Sequence, residues 1–99
     1  MAKYVIHNSG NVVVFSEWGK HSDHATKFNC KSAGFVRFTP YKGRAVVEAY
    51  GRSESLDIDG GGSDDTNAIC KTLNSGLDPF CDEKVFYPSR NDVDNDIGG

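Results

Sequence analysis

The sequence predicts an α+β domain: one antiparallel sheet of four to five strands, in the order ββαββα, with two helices packed on one face. Three observations predict it. Residues 35–50 (FVRFTPYKGRAVVEAY) alternate apolar and polar on either side of a turn at residues 40–43. Residues 3–15 repeat that plan around Ser9-Gly10. Each hairpin is followed by helix signals, first Ser22, Asp23 and Ala25, then Ser63, Asp64, Asp65, Ile69 and Leu73.

In the central hairpin, a four-residue turn sets Thr39 opposite Arg44. Val36, Phe38, Ala45, Val47 and Ala49 then share one face, and Phe35, Arg37, Val46, Glu48 and Tyr50 share the other. Both strands agree on which side is dry. In the first hairpin, a two-residue Ser9-Gly10 turn pairs Asn8 with Asn11. That register places Tyr4, Ile6, Val13 and Phe15 in the core, and leaves Val5, His7, Val12 and Val14 on the second face.

Residues 16–29 read as a loop and a short helix capped by Ser22, with Ala25 and Phe28 toward the sheet and Trp18 plugging its edge. The run DIDGGGSDD reads as a flexible acidic loop before a second helix. Ser63 caps that helix, Ile69 and Leu73 form its buried stripe, and Asn74-Ser75-Gly76 stops it. Val85-Phe86-Tyr87 reads as a short edge strand closed by Pro88. Residues 1–88 thus form one domain, and residues 89–99 an acidic mobile tail.

Composition narrows the function. The 99 residues are 37% hydrophobic and 11% aromatic, enough for one globular core. A net charge of −3 argues against a dedicated binder of nucleic acid or anionic membranes. No apolar run approaches the roughly 20 residues that span a bilayer. Three cysteines at irregular spacing make no disulfide framework, and the opening residues read as strand. The expectation is a cytoplasmic protein with reduced thiols.

Several clusters could carry chemistry. His21 and His24, three residues apart beside Asp23, could supply imidazole ligands to zinc, yet no second ligand pair accompanies them. Asp57, Asp59 and Gly62 match part of a calcium loop, but Ala68 stands where a bidentate Glu belongs. No nucleophile has an organised base near it, and no cofactor is expected. Arg37, Lys42, Arg44 and Arg52, with Phe35, Tyr41 and Tyr50, combine cations and stacking surfaces on one hairpin, as single-strand binders do. The acidic residues Glu48 and Glu54 interrupt that patch. The second sheet face, through Val5, Val12, Val14, Phe35, Val46 and Tyr50, is more apolar than a wetted face needs, which marks an interface or a homodimer contact, with Phe35, Arg37, Val46, Tyr50, Val12 and Val14 as its binding surface.

The run SAGFVRF followed by VVEAYGRSESL resembles small uncharacterised proteins of prophages and other mobile elements. That resemblance implies an accessory or inhibitor-type protein acting by binding another protein. The leading expectation is therefore a non-enzymatic interaction module. A small metal- or ligand-binding enzyme using His21, Asp23 and His24, or a single-stranded nucleic-acid binder using the outer sheet face, are the competing classes.

Overall fold

A computed structural model describes residues 2–77 and 84–97. The main sheet has five strands: β1 Ala2–His7, β2 Val12–Ser16, β3 Cys30–Tyr41, β4 Arg44–Tyr50 and β7 Phe86–Tyr87, in the spatial order β2-β1-β3-β4-β7. A separate two-stranded ribbon joins β5 Arg52–Ser53 to β6 Ile58–Asp59. Helix α1 is Ser63–Ser75, and helix α2 is Arg90–Ile97.

The class is α+β, and the sheet is mixed. β1 to β4 pair antiparallel, whereas β7 runs parallel to β4. The cause is the crossover between them: α1 carries the chain back along the sheet, so the next strand enters in the direction of β4.

The central hairpin keeps the expected faces with a different turn. Thr39 pairs with Val46 and Tyr41 with Arg44, so the turn is two residues, Lys42-Gly43. Both have positive φ, at 50° and 76°, the combination that matches the twist of hairpin strands. The register moves by two residues, and a shift of two preserves every side chain's face.

The first hairpin moves by one residue, and there the expectation fails. Tyr4 pairs with Val14 and Ile6 with Val12. The loop is Asn8-Ser9-Gly10, with the Gly10 N–H donating to His7 O and the His7 N–H to Asn11 O. Gly10 has φ 95°, as a three-residue loop with a left-handed last position requires. Val12 and Val14, not Val13 and Phe15, therefore lie beside Tyr4 and Ile6.

Two cores result. On one face Tyr4, Ile6, Val36, Val47 and Ala49 pack under Ile69 and Cys70 of α1, with Val12, Val14 and Leu73 around them. On the other, Val5, Ala25, Cys30, Ala33 and Leu56 pack together, flanked by Val13, Phe15 and Ile58. The second face is thus covered over β1 and the start of β3 by residues 17–29 and the β5–β6 ribbon. It is not an open apolar sheet.

Helix placement also differs from the expectation. Residues 16–29 contain only a three-residue 3₁₀ turn at His21–Asp23. Ala25 is buried as expected, but Phe28 is 91% and Trp18 88% exposed. The residues read as a mobile tail include α2, which lies against β4 and β7. The Ser89 hydroxyl accepts from the Asp92 N–H at 3.2 Å and donates to its carboxylate at 2.7 Å, capping the helix. Val93 is fully buried, and Asp94 accepts from Lys42 Nζ at 2.7 Å and from the Tyr41 hydroxyl at 3.1 Å.

The two-residue turn has a direct test in urea unfolding. Gly43→Ala adds a side chain in open space but at left-handed φ, so it should cost about 1–2 kcal/mol. Gly43→Asn, which tolerates that region, should recover most of the loss. A four-residue turn would show no such difference.

Candidate functional site

On the sheet face opposite α1, rings form a continuous column. Phe35 and Tyr50 are directly opposed across β3 and β4, and their rings stack at 5.8 Å and 28°. The Arg37 guanidinium lies 4.9 Å above the Tyr50 ring, an attraction of cation and aromatic face. His21 meets Phe35 edge-on at 5.8 Å and Phe15 edge-on at 5.6 Å. Phe15 in turn packs on His24 at 4.0 Å. The column runs from the exposed Arg37, through half-buried Tyr50 and Phe35, to the buried His21. Val46 shares this face, opposite Thr39.

A cleft of about 480 Å³ opens beside the column. Lys3, Lys20, Arg52, Phe35, His21 and Glu54 line it. Lys3 reaches it because it pairs with Phe35, and its Nζ donates to Gly19 O at 2.8 Å. Arg52 is held by two carboxylates, donating from Nη2 to Asp57 at 2.6 Å and from Nε to Asp59 at 2.9 Å. Those bonds hold the Asp57 carboxyl below its ordinary range and push the Arg52 guanidinium further up.

The residues expected at sites are distributed as follows. Phe35, Arg37, Val46 and Tyr50 share the outer face. Val12 and Val14 do not, because the one-residue slip carries them to the α1 side. His21 Nε2 donates to Gly34 O at 2.8 Å inside the fold, while His24 is exposed with its ring on Phe15. Asp23 accepts from the Lys20 N–H at 3.3 Å. Among the described residues, no three His, Cys, Asp or Glu side chains converge on a metal position. Asp57 and Asp59 serve the Arg52 guanidinium.

A buried carboxylate is the site the sequence reading missed. Asp65, 5% exposed, accepts from the Tyr4 hydroxyl, from Ser32 Oγ at 3.0 Å and from the Gly61 N–H at 2.6 Å. The glycine run makes room for it. A Cβ on Gly61 would meet Asp65 Oδ1 at 2.5 Å, and one on Gly60 would meet Gly51 O at 2.6 Å and the Tyr4 hydroxyl at 2.9 Å. The run read as flexible is a fitted bed. Its signal was three consecutive glycines placed just before an acidic first helical turn.

No protein-family model, curated protein or solved structure matches the chain.

Burial pushes the Cys30 and Cys70 thiols up, Cys70 from 9.0 to about 11, and burial with the Asp65 bond pushes the Tyr4 hydroxyl up. All three are held protonated more firmly in the folded chain than in the unfolded one. Their stabilising contribution is complete below the unfolded values and falls as pH rises through the folded ones. Stability in urea should hold from neutrality to about pH 9 and decline from there, with the Cys70 share gone near pH 11. Cys70→Val should flatten that part of the decline. A profile rising between these values would contradict the protonated burial.

Proposed function

We propose that the chain is a non-enzymatic interaction module that binds another protein through its outer sheet face. The single observation that carries this reading is the Arg37–Tyr50–Phe35 column. Arg and Tyr are residue types that anchor interfaces: Tyr buries much area at little cost in side-chain freedom, and Arg brings a planar fork of donors that also stacks on rings. Here they stand on paired strands backed by two packed cores, so a partner meets a preformed surface. An accessory or inhibitor role in a mobile element belongs to the proposal and rests on the runs SAGFVRF and VVEAYGRSESL. A cytoplasmic location is supported by two free buried thiols, Cys30 and Cys70; Cys81 lies outside the described residues.

The test compares immobilised wild type with Tyr50→Ala and Arg37→Ala after incubation with lysate of the source cells. A protein should be retained in stoichiometric amount on wild type and drop about tenfold or more on each variant. Equal retention on all three, with unfolding temperatures unchanged, would sink the reading.

A second reading, single-stranded nucleic-acid binding, is favoured by one observation: the Phe35–Tyr50 stack borders a cleft holding Lys3, Lys20 and Arg52. It makes a different prediction. Fluorescence anisotropy would show oligonucleotide binding that weakens steeply with salt and vanishes in Tyr50→Ala. Salt-independent binding, or none, leaves the protein-partner reading in place.

A further inference from the structure

The two borders of the sheet are treated differently. β7 is two residues long, ends at Pro88 and lies against α2. At the other border β2, Val12–Ser16, reads VVVFS. It has no charge, no proline and no bulge, which are the devices that keep edge strands from pairing.

Its free hydrogen-bonding groups can be assigned. The His7 N–H donates to Asn11 O, and bonded pairs alternate along an antiparallel ladder. Val13 and Phe15 therefore bond to β1, while the N–H and C=O of Val12 and Val14 point away from it. Among the described residues none of those four groups has a partner.

Two further side chains bear on this edge. Trp18 and Phe28 are the most exposed large apolar residues described, at 88% and 91%. Both belong to the segment covering the second sheet face, and they sit at opposite ends of β2. Trp18 follows its C-terminal end, and the Trp18 N–H donates to Ser16 Oγ at 3.2 Å. Phe28 is held beside the entry to β3, at the end of the sheet where β2 begins, with Asn8 Nδ2 donating to Phe28 O at 2.9 Å and the Asn8 N–H to Asn29 O at 2.7 Å.

We propose that β2 pairs antiparallel with β2 of a second copy of this chain, about a two-fold axis at Val13, to make one continuous ten-stranded sheet. In this register Val12 of each copy lies opposite Val14 of the other. Their two N–H and two C=O groups on each copy make four hydrogen bonds across the axis. Antiparallel pairing brings the C-terminal end of one β2 to the N-terminal end of the other, so Trp18 of each copy meets Phe28 of its partner. A second copy is the occupant that satisfies both observations together: a neutral self-complementary strand, and two bare aromatics toward opposite ends of it. Trp and Phe side chains bury about 150–250 Å² each when fully enclosed, so the two Trp18–Phe28 pairs contribute at most about 600–1,000 Å² before the strands are counted. With the strands, that reaches the scale of a stable dimer, about 1,200–2,000 Å².

This surface is separate from the Phe35–Tyr50 face and does not rest on the partner reading. Sedimentation equilibrium of the full chain should show a monomer–dimer system. Trp18→Ala and Phe28→Ala should each raise the dissociation constant about tenfold or more, and Tyr50→Ala should leave it unchanged. Because both positions are almost fully exposed, these variants should keep the wild-type unfolding temperature at concentrations where the wild type is itself monomeric. In a Cys81→Ser background, Val13→Cys should form a disulfide between copies under mild oxidation. The axis sets the two positions face to face in a pair without hydrogen bonds, at a spacing a disulfide spans. Phe15→Cys, displaced from the axis, should not. A monomer at high micromolar concentration would overturn the proposal. So would a dimer indifferent to Trp18 and Phe28, or cross-linking at residue 15 rather than 13.

Discussion

One buried carboxylate holds the molecule in its arrangement. Asp65 sits in the first turn of α1 and takes a hydroxyl from β1, a hydroxyl from β3 and an N–H from the glycine run. An acidic group in the first turn suits the positive end of the helix dipole. The helix is thereby fixed to two neighbouring strands by polar bonds as well as by Ile69 and Cys70 in the core. The arrangement is directional in a way that apolar contact is not. Leaving the Tyr4 hydroxyl buried and unpaired would itself cost about 1–3 kcal/mol.

That lock decides what each sheet face can do. With α1 committed to the side of Tyr4, Ile6 and Val36, the opposite side is left to residues 17–29 and the β5–β6 ribbon. They cover β1 and the start of β3 and leave the β3–β4 half partly bare. The aromatic column stands where cover gives way to solvent. His21 and Phe15 anchor its buried end, and Tyr50 and Arg37 form its exposed end. Charge adds less: the Arg37–Glu48 contact at 3.8 Å is exposed on both sides, and such pairs are worth little. Stacking, not ion pairing, gives this face its character.

How much could be read from the chain alone follows from how each hairpin encodes its faces. In β3 and β4 polar residues mark one side, so alternation identifies the faces even when the turn is misjudged. In β2 the run Val12-Val13-Val14-Phe15 is apolar on both sides because each side flanks a core and is half-buried. Alternation carries no information there, and a turn one residue longer reverses the assignment. Helix α2 was hidden by its acidic composition, although Ser89 followed three residues later by Asp92 is a helix-start signature. The Asp65 site was hidden differently. Tyr4, Ser32 and Asp65 are far apart in sequence, and only the close approach allowed by Gly60 and Gly61 joins them.

The most direct test of the lock is a double-mutant cycle in urea between Tyr4→Phe and Asp65→Asn. If the carboxylate binds the strand to the helix as described, the two changes should couple by about 1.5–3 kcal/mol, the range for a hydrogen bond to a charged group. Additivity within about 0.5 kcal/mol would mean that the two side chains act independently, and the account of how α1 selects its face would fail.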